Sequence, residues 1–125
     1  MRDPKAMINS LVSKVRIIFE IANNHQGSLN HFENILKDIS KSVKNYHDNF
    51  EFLIKFQFRD IPTFIDQTID PSTNKHISRF KDTQLSLDEW KIIFSLVKSS
   101  GFKLIITPFD ETSVQKALDL GVDEF

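Results

Sequence analysis

Three short runs in this 125-residue chain carry side chains able to do chemistry. The first is Glu20 followed by Asn23, Asn24, His25, Gln26 and Gly27, the second is Lys55 with Gln57, and the third is Thr107, Phe109 and Asp110. Lys55 is the most informative, because it stands inside the otherwise apolar stretch Phe50 to Phe58. An ammonium there is costly to bury unless a carboxylate or a ligand anion neutralises it. Glu20 is a candidate for that carboxylate. The same residues admit a plainer reading, in which Glu20 and Lys55 form an internal ion pair and residues 23–27 are a solvated turn with Gly27 at positive φ. His25, His31, His47 and His76 include no i, i+4 pair and have no thiolate partners, so a metal site made wholly within this chain is not expected. No Walker-type or GxGxxG loop is present, which argues against a nucleotide site of either kind.

These groups need elements to position them. Val15 to Ala22 (VRIIFEIA) is β-branched and aromatic with little polar alternation, the pattern of a strand covered on both faces. After the polar turn, Ser28 is a plausible N-cap for an amphipathic helix carrying Leu29, Phe32, Ile35, Leu36, Ile39 and Val43. Phe50 to Phe58 reads as a second strand, with Lys55 and Gln57 on one side and Ile54, Phe56 and Phe58 on the other. From Arg59 to Leu85 no period holds, and Pro62 and Pro71 predict a long irregular connection. Ser86 and Glu89 form a capping box before a helix with Leu87, Trp90, Ile93, Phe94 and Val97, which stops at Gly101. A third strand, Lys103 to Thr107, ends at Pro108. Thr112 with Gln115 suggests a further capping box for a short helix closed by Gly121, and Val122 to Phe125 read as the start of a fourth strand.

Strand and helix alternate three times, which implies right-handed parallel crossovers and an α/β sheet. A doubly wound sheet and the first part of an eight-stranded barrel share this local pattern. In both, ligands meet the carboxyl ends of the strands, where the three chemical runs fall.

Composition narrows the function. The chain is 40% hydrophobic and 26% charged, enough for one core. Sixteen Lys and Arg stand against 17 Asp and Glu, so no broad positive field exists to hold a nucleic acid or an anionic membrane. No apolar run approaches the ~20 residues of a membrane span, and Met1 to Lys14 has no signal-like apolar segment. Cysteine is absent, which excludes a disulfide scaffold and a Cys nucleophile and fits a reducing compartment. A cytoplasmic location is expected. Phe occurs 12 times against one Tyr and one Trp, so the core is expected to rest on hydroxyl-free rings.

Taken together, Phe19 to Gly27 (FEIANNHQG), Lys55-Phe56-Gln57 and Thr107-Pro108-Phe109-Asp110 resemble the sialic acid (N-acetylneuraminate) synthase family in order and spacing. The family's usual opening is close to E-I-G-x-N-H-x-G. Ala22 replaces its first Gly, while Glu20, Asn24, His25 and Gly27 are in place. The resemblance spans Val15 to Phe125, the first third or so of the family's length. It implies the first three β/α units of a (β/α)8 TIM-type barrel over 15–125, preceded by an N-terminal extension, 1–14.

The activity implied is condensation of phosphoenolpyruvate with an N-acetylated amino sugar, releasing phosphate and making a nonulosonic acid. Carried over by position, Glu20, Gln57 and Phe109 face the sugar, and Lys55 and Thr107 face phosphoenolpyruvate. Asn24, His25 and Gly27 shape the first loop without a chemical step. A dianionic phosphate ester suits a lysine, and a polyhydroxyl chain suits a carboxylate and an amide. The family implies a divalent metal, Mn2+ or Mg2+, whose ligands fall outside this chain, so the 125 residues alone are expected to be inactive. The segment around Arg59, Asp60 and Phe64 to Arg79 departs from the better-known members and leaves the sugar open. The competing expectation is a non-catalytic α/β module that completes its core by forming a homodimer or by pairing with another chain.

Overall fold

The computed structural model describes residues 3–11 and 13–125; within the expected 1–14 extension, residues 1, 2 and 12 lie outside the described residues. That extension contains a helix the sequence reading did not anticipate, α1 (Pro4–Leu11). There follow β1 (Val15–Ala22), α2 (Leu29–Val43), β2 (Phe50–Phe58), α3 (Ile61–Phe64), a 3-10 turn at Pro71–Thr73, α4 (Lys75–Asp82), α5 (Leu87–Ser99), β3 (Lys103–Pro108) and α6 (Glu111–Leu120). The three strands form one parallel sheet in the order β1-β2-β3.

Alternation along the strands sorts the side chains. Phe52, Ile54, Phe56 and Phe58 of β2 and Leu104 and Ile106 of β3 pack into one cluster with Phe32, Leu36 and Val43 of α2 and Trp90, Ile93, Phe94 and Val97 of α5. Rings dominate it, as expected from the Phe count. Trp90 lies with its ring centroid 4.7 Å from Phe58 and 5.2 Å from Phe56, edge to face. The opposite face carries Arg16, Ile18 and Glu20 from β1, Glu51, Leu53, Lys55 and Gln57 from β2, and Lys103, Ile105 and Thr107 from β3. At the amino ends of the strands this second face is a charge lattice. Glu51 binds Arg16 at 2.8 Å and Lys103 at 2.5 Å, and Arg16 also reaches Glu124 at 2.5 Å.

Three expectations are corrected. β1 is not covered on both faces: Ile18, on the face opposite the helices, is 48% exposed, and Val15 at the start of the strand is 63% exposed. The connection from Arg59 to Leu85 is not irregular throughout. Asp70 accepts from Ser72 N–H at 2.9 Å and Asn74 from His76 N–H at 2.9 Å, so the caps nucleate short helical pieces too brief to show a period. Ile61, Ile65, Ile77 and Phe80 give this segment a small core of its own. Finally, α6 is capped by Asp110, which accepts from Ser113 N–H at 2.7 Å, and not by a box of Thr112 and Gln115. Asp is the stronger cap, and Pro108 holds the preceding backbone extended. Ser28 and the Ser86–Glu89 box cap α2 and α5 as predicted.

Val122 to Phe125 do begin to extend the sheet. Ile105 pairs in parallel with Glu124, and Ile106 N–H donates to Glu124 O at 3.1 Å.

Candidate functional site at the carboxyl ends of the strands

Parallel pairing sets Glu20 beside Lys55 and Gln57 beside Thr107. All four stand on the sheet face opposite the helices, so Lys55 avoids the apolar layer altogether. Its ammonium lies 3.0 Å from Glu20 Oε2, with the two side chains 31% and 41% exposed. An ion pair this open contributes about 0–1 kcal/mol, so it orients Lys55 without locking it against a competing anion. Ile21 is the extra residue of a β-bulge between Glu20 and Ala22; it keeps to the core face with Ile17 and Phe19, while Glu20 accepts the Ala22 N–H at 3.1 Å.

The turn that follows is more than a solvated loop. His25 is only 2% exposed, seated against Trp90 at 5.5 Å and Phe56 at 6.4 Å. Its Nδ1 accepts the Gly27 N–H at 3.0 Å, which leaves the proton on Nε2. Burial, helped by the neighbouring His31, pushes its pKa down to about 4, so the ring is neutral near pH 7 and is not placed to act as a proton donor there. Gly27 has φ +68°, and a Cβ on it would meet Asp82 O and Thr83 Cα at 3.0 Å each. Only glycine satisfies both the left-handed backbone and the close approach of α4. Asn24 is exposed, its N–H donating to Ile21 O at 2.8 Å.

Phe109 is 44% exposed and follows the end of β3. Its ring lies 4.1 Å from the Arg59 guanidinium and 5.9 Å from Phe64, and it lines none of the cavities described here. Arg59 was missed as a site residue, although it continues the spacing Lys55, Gln57, Arg59. It lies among Phe64, Phe80 and Phe109, its Nη2 donates to Gln57 Oε1 at 2.8 Å, and burial holds it below the usual guanidinium value. Asn23, Gln57, Arg59 and Phe80 are shared by two adjoining cavities of 240 and 70 Å3. The smaller one also touches His25, Trp90 and Lys116, whose ammonium is pushed down by burial against the opposing pull of Asp60 and Asp110.

Neither a scan against protein-family models nor a search of curated proteins finds a match. Solved structures do match. A protein from Chromobacterium violaceum described as spore coat polysaccharide biosynthesis protein E is 34% identical, with a TM-score of 0.81 over 87% of this chain and 32% of its own. The chain is structurally related to the sialic acid synthase family. An N-acetylneuraminic acid (sialic acid) synthetase from Leptospira borgpetersenii, solved in complex with citrate, shares the fold at 21% identity, with a TM-score of 0.68 over 89% of this chain and 35% of its own. This chain thus spans about a third of the length of either neighbour.

Against the sialic acid synthase motif, the departure at Ala22 has a physical cost. Ala22 has φ +49°, the left-handed region in which a Cβ crowds the backbone. Ala22→Gly is therefore expected to stabilise the chain by about 0.5–1 kcal/mol, the relief being partly offset by the added freedom of glycine when unfolded. A rise in the urea midpoint checks this, and an unchanged midpoint would show that the bulge carries no strain.

The residues present do not fit a divalent metal. Among the described residues no group of three or more His, Asp or Glu could hold one; at the strand ends Glu20 is paired with Lys55, and Asp110 accepts the Asp60 and Ser113 N–H groups. No helix among the described residues is long and apolar enough to cross a membrane.

Proposed function

We propose that the chain forms the first part of a (β/α)8 barrel enzyme of carbohydrate biosynthesis that condenses phosphoenolpyruvate with an N-acetylated amino sugar and releases phosphate. The observation that carries this reading is the placement of Lys55 and Gln57 side by side on the face opposite the helices, at the strand ends, with Glu20 3.0 Å from the lysine. Lys55 and Thr107 take the phosphoenolpyruvate side, where a cation and a hydroxyl match a small trianionic ester. Glu20 and Gln57 take the sugar side, as acceptor and amide for its hydroxyls. Phe109 borders this region through Arg59. The citrate of the Leptospira complex is a small organic polyanion, as phosphoenolpyruvate is, although its charges are all carboxylates.

The fold relationship supports the assignment to a transferase that makes a carbon–carbon bond. The divalent metal of such an enzyme would come with ligands outside these 125 residues, and turnover is proposed to need that remainder.

Isothermal titration with phosphoenolpyruvate tests the binding half. The 125-residue chain is expected to give heat, and Lys55→Met to weaken the affinity about tenfold or more, since one charge-assisted contact is lost. Lys55→Met removes a cation from an open face, so far-UV circular dichroism should be unchanged. Equal affinity in the variant would remove Lys55 from the site.

A further inference from the structure

Arg59 leaves the end of β2 on a fixed course. The Asp60 N–H donates to Asp110 Oδ2 at 2.8 Å and the Phe109 N–H to Phe58 O at 3.0 Å, so residues 58–60 are tied to the start of α6. The half-buried side chain then runs among three rings, with the centroids of Phe109, Phe80 and Phe64 at 4.1, 4.4 and 5.5 Å from its guanidinium carbon. Aromatic faces hold a planar cation by its charge and by its flat shape. Among the described residues no carboxylate pairs with it, and its one side-chain hydrogen bond runs from Nη2 to Gln57 Oε1 at 2.8 Å.

That bond decides which way round the Gln57 amide sits. A guanidinium has donors and no acceptor, so it can hold the amide oxygen and never the NH2 group. Gln57 Nε2 is therefore turned away from Arg59, and it has no hydrogen-bond partner among the described residues. The Arg59 Nε–H is also unpartnered, but it is buried and closed to a ligand. Gln57 instead lines both cavities at the strand ends. The positive charge behind its oxygen polarises the amide and strengthens the Nε2 hydrogens as donors.

We propose that Arg59 is a positioning residue for the acceptor sugar: it fixes the Gln57 amide so that both Nε2 hydrogens face the ligand, which must offer a lone pair there, on a hydroxyl or carbonyl oxygen. Arg59 itself touches no substrate. An amide without this anchor can turn over and present its oxygen instead, and the contact loses its polarity. With the anchor, Glu20 accepts and Gln57 donates, which serves the two halves of a hydroxyl's hydrogen bonding separately. The inference rests on the reading of Gln57 as a sugar contact, and it adds the polarity that this contact demands.

The test is isothermal titration of the 125-residue chain with N-acetylmannosamine, phosphoenolpyruvate being present, for the wild type and three variants at position 59. Arg59→Met keeps an apolar stem among the rings but has no donor, and is expected to weaken sugar binding about tenfold. Arg59→Gln, which can hold either end of the amide, should fall as far. Arg59→Lys keeps a head that only donates and should stay within about threefold of the wild type. A role in packing alone predicts the reverse order, with Met the mildest change. Phosphoenolpyruvate, titrated alone, should bind all four forms alike, which also reports that they are folded; the Lys and Gln variants decide the matter should Arg59→Met lose its fold. Equal sugar affinity in Arg59→Lys and Arg59→Gln, whether both high or both low, overturns the positioning role and leaves the phosphoenolpyruvate reading standing. A wild-type chain that binds phosphoenolpyruvate but gives no heat with the sugar also overturns this inference alone. Absence of any heat with phosphoenolpyruvate overturns the proposed function and this inference with it.

Discussion

Lowering the pH from 7 towards 4 is expected to remove up to about 3 kcal/mol of stability through His25 alone. The ring is buried against Trp90 and Phe56 and has its pKa pushed down to about 4, while in the unfolded chain it returns to the usual value near 6.5. Between those values the unfolded state binds the proton and the folded state does not, so stability rises with pH in this window. Above about 6.5 the full contribution is present; it is lost as pH falls through 4. Protonation at Nδ1 also breaks the Gly27 N–H bond, which opens the turn beside the strand ends. Urea unfolding at pH 7.5, 6 and 5 should show the decline, and His25→Gln should flatten it. Glu51, Asp66, Asp70, Glu89 and Asp110 also lie below their usual values, but their share is lost at lower pH, within and below the ordinary carboxylate range. Constant wild-type stability between pH 5 and 7.5 would show that the ring takes up a proton without penalty.

Trp90→Ala is expected to cost about 3–5 kcal/mol, a large share of the ~5–15 kcal/mol of a small domain. The indole is 4% exposed and touches Phe58, Phe56, Phe94 and His25 at centroid distances of 4.7, 5.2, 6.5 and 5.5 Å. No neighbour can collapse into the space without abandoning its own contacts, so a cavity remains. The same change lets water reach His25, so its midpoint should move up towards 6.5, readable by NMR. Trp90→Phe should lose less on both counts. A wild-type urea midpoint in Trp90→Ala would remove the indole from the core.

The strands and the three principal helices were legible because each has a strong local signal. Phe50 to Phe58 alternates with period two, and Ser86 with Glu89 announces α5 in four residues. The connection from Arg59 to Leu85 was not legible, since its short helices rest on Asp70 and Asn74 caps and on a core of Ile61, Ile65 and Ile77 spread along the chain. Among site residues, Glu20, Lys55, Gln57 and Thr107 follow from strand register, which parallel pairing converts into adjacency. Arg59 and Arg79 reach one cavity only through the fold of that connection. The burial of His25 was equally hidden, because it depends on Trp90, a residue 65 positions away.

The row Phe52, Ile54, Phe56 and Phe58 on β2 has a kinetic consequence. Its cover comes largely from Trp90, Ile93, Phe94 and Val97 of α5, about 40 residues later in the chain. At synthesis rates of about 5–20 residues per second, three phenylalanines and an isoleucine stay without that cover for roughly 2–8 s after β2 has been made. During that interval β2 offers a sticky stripe to any other nascent chain. Aggregation during expression should therefore depend on what emerges between Arg59 and Val97, and slowing translation there should harm yield more than slowing it after β3.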